Sequence, residues 1–324
     1  MSLGSKLISH AQASLTKSFL QLFSTLIGYS FAWYLVYKFY HISYFLTIIP
    51  MVLVSLFTVR LFIMQHDCGH GSFYDSSVLS SITGEILSVI TTVPYQWWAK
   101  DHSIHHATTG CLEKRGNGDI DTLTINEYKE KGFLKRLAYD IYRNPFILLG
   151  LGPFFLLAYH RLPPFTFDKE WKKERNSVIR LNIYYTAIAS IVVLKGITFQ
   201  FLSVLIPVMW FAWFMGIMQF YCQHQFENAY WANENEWSYK EACLKGSSYF
   251  SMPKIMQYFT GNIGFHHIHH FNSKIPNYNL EKAHNEIMKD CPKEFSIVTE
   301  ITFKDVPRLL SLRFWDEKSK KLVP

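Results

Sequence analysis

The chain has 324 residues, of which 49% are hydrophobic, 17% aromatic and only 18% charged. The apolar residues collect in runs long enough to cross a bilayer, which argues against an ordinary soluble globular protein. The net charge of +7 does not indicate a nucleic-acid partner, because the Lys and Arg residues flank apolar runs and form no basic stripe interleaved with aromatics.

The predicted elements form two hairpins of membrane spans with weaker apolar segments between them. In chain order they are spans at 19–40 and 42–64, interfacial segments at 78–98 and 145–159, and spans at 181–194 and 199–222. The two long early runs have about the 20 residues that a bilayer core requires. No small-residue cleavage site follows the first run, so we expect this span to be retained.

The distribution of basic residues predicts the orientation. Fourteen Lys and Arg residues lie between Lys100 and Arg180, whereas the two hairpin turns carry one lysine each, Lys38 and Lys195. Because basic residues are kept on the cytoplasmic side, both turns should face outward. We therefore expect an all-α integral membrane protein with four transmembrane helices and a cytoplasmic helical cap, forming one domain over 1–324.

The five cysteines give no structural framework. They are scattered along the chain without a CxxC pair, at Cys68, Cys111, Cys222, Cys243 and Cys291. This pattern argues against disulfides, a zinc ribbon and an iron–sulfur site, and fits free thiols in a reducing compartment.

Ten of the 14 histidines fall in four short stretches, QHDCGHG, KDHSIHHATTG, FYCQHQFENAYW and GNIGFHHIHHFN. Their positions are His66, His70, His102, His105, His106, His224, His266, His267, His269 and His270. We interpret the other four as ordinary surface or core residues: His10, His41, His160 and His284.

The spacing of these histidines predicts a metal centre. Residues at i, i+3 and i+4 share one helical face, so HxxxH and HxxHH each present a row of imidazoles. His267 lies off its row and is the weakest candidate, which leaves nine. One structural zinc needs four ligands, so nine imidazoles favour a pair of redox metals. Every stretch follows the predicted inner end of a span or interfacial segment, and the stretches meet only if the chain crosses the membrane four times.

Other chemistries fit this pattern less well. A ferritin-like di-iron protein needs paired Glu-x-x-His motifs, and only Glu281 to His284 matches. HExxH is absent, which disfavours a zincin peptidase. A membrane metal transporter or haem protein should hold its ligands inside the spans, and the predicted spans contain no histidine. A related di-iron hydroxylase acting on alkanes, sterols or carotenoids shares the histidine spacing and stays open.

The boxes HDCGH, HSIHH and HHIHH, in that order, resemble those of the membrane fatty-acid desaturases. RGNGDI, QHQFENAYW, GSSYF and GNIGFHHIHHFNSKIPNYNLEKAH most resemble bacterial acyl-lipid desaturases of the delta-5 and delta-12 type, and the resemblance covers nearly the whole chain. It implies a four-span protein whose cytoplasmic cap holds two irons over an acyl tunnel. The implied ligands are His66, His70, His102, His105, His106, His224, His266, His269 and His270. Phe220 stands where acyl-CoA relatives carry an asparagine that holds a water ligand.

The resemblance implies O2-dependent desaturation. Removing hydrogens from unactivated carbons needs a metal–oxygen oxidant, so two Fe2+ ions and O2 supply the hard step and the protein positions the acyl chain. Candidates for fixing the imidazole tautomers are Asp67, Asp101, Asp119 and Asp121. Candidates for lining the tunnel mouth, which as interfacial aromatics equally fit membrane anchors, are Tyr95, Trp97 and Trp98.

The expected partners follow from the same reasoning. The substrate should be the acyl chain of a membrane lipid, with acyl-CoA or an acyl-carrier protein as alternatives. The sequence contains no HPGG stretch, iron–sulfur cysteine run or dinucleotide fingerprint, so we expect an external ferredoxin-, flavodoxin- or cytochrome-type electron donor. The basic cap would attract an acidic donor, and it equally suits anionic lipid. We expect a bacterial inner-membrane protein with its active site facing the cytoplasm.

Overall fold

The computed structural model describes residues 7–116, 118–162, 169–292 and 296–324, which are mostly helical. The helices are α1 (Leu15–Tyr40), α2 (Tyr44–His70), α3 (Ser77–Thr91), α4 (Tyr95–Thr108), α5 (Ile125–Glu130), α6 (Phe133–Tyr142), α7 (Pro145–Gly150), α8 (Gly152–Tyr159), α9 (Lys172–Leu194), α10 (Thr198–His224), α11 (Tyr239–Lys245), α12 (Lys254–Phe259), α13 (His266–Phe271), α14 (Asn277–Asp290) and α15 (Val306–Leu309). The strands are β1 (Leu123–Thr124), β2 (Tyr249–Phe250), β3 (Glu300–Ile301), β4 (Phe314–Asp316) and β5 (Lys321–Val323).

Four of these helices, α1, α2, α9 and α10, are long and apolar enough to cross a membrane. They form two hairpins, so the prediction of a helical protein with four spans is confirmed. Large apolar side chains on the hairpins point outward, including Phe45 at 81% exposure and Phe199 at 79%. A continuous apolar surface of this kind fits contact with lipid.

The helices extend further than the predicted spans. α2 continues past residue 64 to His70, where the left-handed Gly71 (φ 62°) ends it and donates its amide to the carbonyls of Asp67 and Cys68. Gly accepts this backbone conformation without a steric cost. α9 begins at Lys172, nine residues before the predicted span. The apolar pattern did not include its first turns because these carry charged residues. Because α2 extends to His70, the first histidine pair, His66 and His70, lies in the last turns of α2.

The predicted segment 78–98 is two helices rather than one. α3 and α4 meet at an angle of 100° across a break of a few residues. Tyr95 lies at this elbow and packs on Gly84, where an added Cβ would lie 2.4 to 2.6 Å from three ring atoms. The Tyr95 hydroxyl donates to the carbonyl of Cys68 at 2.9 Å. The elbow thus turns the second histidine box toward the end of α2. The segment 145–159 is likewise divided, into α7 and α8.

α2 is the central span of the bundle. Its Phe57 lies so close to Gly28 of α1 that a Cβ added at position 28 would be 2.4 Å from the ring. The hydroxyl of Ser55 donates to the carbonyl of Val208 in α10 at 2.9 Å. These contacts hold α1 and α10 against the middle of α2.

The residues outside the spans, 71–162 and 225–324 as described, form what we call the cap. Two small sheets that the sequence did not predict connect its distant parts: β1 pairs in parallel with β4, β4 pairs antiparallel with β5, and β2 pairs in parallel with β3. Arg143, almost fully buried, donates to the carbonyls of Asp121 and Leu312 and to the side chains of Tyr221 and Gln225. The C-terminal segment is thereby held against the end of α10.

Candidate metal centre

Five imidazoles meet at the cap-side end of α2. They come from the last turn of α2 (His66 and His70), from α4 (His102 and His106) and from α13 (His269). One ring nitrogen of each lies within 4.8 Å of one ring nitrogen of every other. We call this group the first cluster.

The nitrogen separations in the first cluster suit a shared metal ion. Nε2 of His102 lies 3.1 Å from Nε2 of His66 and 3.0 Å from Nε2 of His106, which in turn lies 3.0 Å from Nε2 of His269. A metal bound at about 2.1 Å to each of two imidazoles at right angles would separate their nitrogens by about 3.0 Å. The geometry therefore fits a multiply coordinated ion.

Four further imidazoles form a second cluster, His105, His224, His266 and His270. Ring nitrogens of His105, His224 and His270 lie within 4.8 Å of one another. Nε2 of His224 lies 3.3 Å from Nε2 of His105 and 2.9 Å from Nε2 of His266. The two clusters are in direct contact, because the rings of His106 in the first and His270 in the second stack with centroids 4.1 Å apart. The described residues thus offer two adjacent groups of imidazoles, each of which could hold a metal ion.

Hydrogen bonds on the outer side of the rings fix three of the tautomers. Nδ1 of His66 lies 3.0 Å from Oδ1 of Asp67, and Nδ1 of His105 lies 2.5 Å from Oδ1 of Asp119. Nδ1 of His224 lies 3.0 Å from the carbonyl oxygen of Gly246. Since these oxygens accept, each Nδ1 carries the proton and each Nε2 lone pair is free to bind a metal.

Burial supports the same chemistry. Nε2 of His70 and both ring nitrogens of His270 are buried and find no hydrogen-bond partner among the described residues. Buried polar atoms are normally satisfied, so these ring nitrogens fit a role as metal ligands. Burial, followed by neighbouring imidazoles, holds the pKa of His102, His269 and His270 well below the usual value. These rings are therefore neutral near pH 7, as metal ligands must be.

The remaining acidic candidates lie differently. Asp101 is partly buried near Asp119, and burial raises the pKa of its carboxyl. Asp121 is exposed, and its backbone makes its contacts: the amide donates to the hydroxyl of Tyr142 and the carbonyl accepts from Arg143. The structure thus brings two of the four aspartates, Asp67 and Asp119, to the imidazoles.

The three aromatic candidates occupy different places. Trp98 stacks on His102 with centroids 4.4 Å apart and also contacts His66. Trp97 packs against Tyr159, away from the clusters. Tyr95 supports the elbow between α3 and α4, as described above. Only Trp98 therefore forms part of the wall of the metal centre.

Two positions singled out in the sequence are also placed. Phe220 lies with its ring centroid 5.2 Å from that of His105 and 5.1 Å from that of His224. It gives the second cluster an apolar wall where an amide would have offered a polar group. Nε2 of His267 lies 3.0 Å from Nδ1 of His284, so His267 turns away from both clusters.

Sequence reasoning missed two groups at this site. The carbonyl of Gly246 carries no side-chain signal, and only tertiary structure brings it to His224. Asn277 donates its backbone amide and its side-chain amide to Oδ2 of Asp67, at 2.7 and 2.8 Å. Asn277 lies after the third box and is the first residue of α14. Its polar side chain at the start of a helix was the only local sign of a hydrogen-bonding role.

Comparisons with known proteins show which family this chain resembles. Residues 42–301 match the family model "Fatty acid desaturase". A fatty acid desaturase of Bacillus subtilis (strain 168) is 39% identical over 98% of this chain and 91% of its own length. An Arabidopsis thaliana protein named sn-2 acyl-lipid omega-3 desaturase (ferredoxin), chloroplastic, is 29% identical over 69% of this chain and 51% of its own length. An sn-1 oleoyl-lipid 12-desaturase of a Synechocystis species is 25% identical over 71% and 64% respectively.

Proposed function

Because this chain belongs to the fatty acid desaturase family, we propose that it inserts a cis double bond into the acyl chain of a membrane lipid, using two irons, O2 and electrons from a separate carrier. Its identification as a membrane desaturase rests on the family match and the four spans. The proposed metal ligands are supported by the geometry of the two clusters. The whole of 1–324 would act as one domain.

The observation that carries the proposal is the adjacency of two imidazole clusters on one side of the bundle. The nine proposed ligands are His66, His70, His102, His105, His106, His224, His266, His269 and His270. Two irons bound there would supply the oxidising power to remove hydrogens from unactivated carbons. A site built from neutral imidazoles adds no negative charge to the bound metals.

The protein's own groups hold and shield this centre. The carboxylates of Asp67 and Asp119 keep Nε2 of His66 and His105 directed at the clusters by accepting from Nδ1. Trp98 and Phe220 cover imidazoles of the first and second cluster with apolar rings. Excluding water from the centre favours reaction with a chain that arrives from the bilayer.

The acyl carrier and the donor are proposed from the relatives. The names of the Arabidopsis and Synechocystis proteins refer to acyl-lipid and oleoyl-lipid substrates, which supports a membrane lipid over acyl-CoA or an acyl-carrier protein. The first of these names also refers to ferredoxin, which supports a small separate carrier as the electron donor, docking on the face of the cap that we propose to be cytoplasmic. A bacterial inner membrane is the proposed location.

Expression in a bacterial host, with double bonds located by mass spectrometry, tests this function. We expect a new monounsaturated or further unsaturated acyl chain in the membrane lipids of the host. His270→Ala should abolish it, whereas His267→Gln should retain it, because His267 lies in the same box but turns away from both clusters toward His284. A hydroxylated product would contradict desaturation, and full activity of His270→Ala would contradict the ligand assignment.

A further inference from the structure

A chain of hydrogen bonds runs from the first membrane span to the first cluster. Nε2 of Gln21, on α1, donates to Oδ1 of Asn277 at 2.7 Å. Asn277, the first residue of α14, donates to Oδ2 of Asp67 through both its backbone amide and Nδ2, at 2.7 and 2.8 Å. Oδ1 of Asp67 accepts from Nδ1 of His66 at 3.0 Å. Four side chains from three separate parts of the sequence are thereby connected.

The orientation of each side chain in this series of hydrogen bonds is determined by its neighbours. A carboxylate only accepts, so Nδ2 of Asn277 must face Asp67 and its Oδ1 must face Gln21. Oε1 of Gln21 in turn lies 3.3 Å from Nδ2 of Asn277 and accepts from it. The backbone amide of Asn277 is free to donate because the first amides of a helix have no partner within it. The direction of the Asp67 carboxylate is therefore set from outside the metal centre.

Because Asn277 and Asp67 are buried, the loss of any one of their hydrogen bonds is costly. Asn277 and Asp67 are each 1% exposed. A buried carboxylate that loses a donor must find another or be neutralised. Either change would weaken the acceptor that fixes the tautomer and ring direction of His66, whose Nε2 faces the first cluster.

We propose that Asn277 and Gln21 are positioning residues of the metal centre: they hold Asp67, which directs His66 at the metal of the first cluster. The inference rests on the proposed function, since it takes His66 as an iron ligand. It adds two residues outside the histidine boxes, one of them on a span that supplies no ligand. It also explains why α1 is bound to α14 at a point directly behind the first box.

The neighbouring residue Asn279 provides a matched control. It lies on the same helix as Asn277, and its Nδ2 donates to the carbonyl of His10 at 3.0 Å while its Oδ1 accepts from Nζ of Lys17 at 3.4 Å. Like Asn277 it joins α14 to the N-terminal part of the chain. Unlike Asn277 it makes no contact with Asp67 in the structure as described.

The test measures iron release from the full-length, iron-loaded protein in lipid nanodiscs to an excess of a ferrous chelator. Asn277→Ala should release iron about tenfold faster than the wild type, in the range known for outer partners of metal ligands. Gln21→Leu should accelerate release by a smaller factor, and Asn279→Ala should not change it. The visible spectrum of the cobalt(II)-substituted protein should shift in Asn277→Ala and stay unchanged in Asn279→Ala.

The outcomes distinguish a failure of the positioning role from a failure of the proposed function. Wild-type release rates in Asn277→Ala, or equal acceleration in Asn277→Ala and Asn279→Ala, would overturn the positioning role while leaving the proposed function intact. If Asn277→Ala cannot be isolated folded, an unchanged rate in Gln21→Leu overturns it and a faster rate supports it. A wild-type protein that binds no iron would remove the proposed function and this inference together.

Discussion

Nδ1 of His105 lies 2.5 Å from Oδ1 of Asp119, and the two residues belong to different structural elements, α4 and the irregular segment before β1. The short contact directs Nε2 of His105 at Nε2 of His224, 3.3 Å away. The carboxylate thus connects the loop after the second box to the second cluster.

Asp119→Ala should lower the affinity of the second cluster for its metal by about 10- to 100-fold, because His105 loses the acceptor that fixes its tautomer. Elemental analysis after dialysis against a chelator should show iron falling toward one per chain. Asp121→Ala is the control, since Asp121 is exposed and makes its contacts through the backbone. Equal iron retention in the two variants would contradict the role of Asp119.

Gly84→Ala should destabilise the protein by about 1–3 kcal/mol, because the new methyl group overlaps the Tyr95 ring in the elbow between α3 and α4. The cost should fall in a Tyr95→Leu background, with a coupling of about 0.5–3 kcal/mol in a double-mutant cycle from thermal unfolding. Gly216→Ala is the control, since no atom lies within 4 Å of an added Cβ there. Additive effects of the two elbow substitutions would show that the ring does not pack on Gly84.

His160 predicts a pH dependence of stability. Burial, with Arg161 as a lesser cause, lowers the pKa of His160 to about 3. The folded state therefore binds fewer protons than the unfolded state below pH 6.5, so stability is present above that pH and is lost as pH falls toward 3. Lowering the pH from 7 to 5 should therefore reduce the free energy of unfolding by about 2 kcal/mol through His160.

His160→Phe tests this dependence because it keeps an aromatic ring beside Trp97 and Trp213 and removes the titrating group. The unfolding midpoint of the variant should fall less than that of the wild type between pH 7 and 5. The difference between the two proteins isolates His160 from the other histidines. Parallel pH profiles would contradict a depressed pKa.

The proposed orientation predicts which exposed positions react with a membrane-impermeant thiol reagent. In a Cys291→Ser background the other native cysteines are buried. A cysteine introduced as Lys195→Cys, in the turn between α9 and α10, should be labelled in intact cells. Lys318→Cys, on the cap, should be labelled only after the membrane is opened. The reverse pattern would place the metal centre outside.

The histidine boxes could be predicted from the sequence because their information is local. The spacing of His102, His105 and His106 defines one helical face, and the spans determine on which side of the membrane it lies. The same local reasoning proposed Asp67, which directly follows His66, and Asp119, which lies 13 residues after His106. The structure places both beside imidazoles.

Tertiary relationships could not be predicted in this way. The break between α3 and α4 has a local signal in Pro94, which caps α4, but the angle of 100° depends on Tyr95 packing on Gly84 across the elbow, which no local pattern marks. The carbonyl of Gly246 and the side chain of Asn277 reach the centre only through folding of the cap. The strand pairing of β1 with β4 joins residues almost 200 positions apart, too short and too distant to leave a pattern.

Iron analysis of the purified protein, combined with Mössbauer spectroscopy, tests the central claim most directly. Two irons per chain, in two environments dominated by nitrogen ligands, are expected for a five-imidazole and a four-imidazole cluster. A fully active protein with no iron, or with a single zinc in its place, would contradict the account.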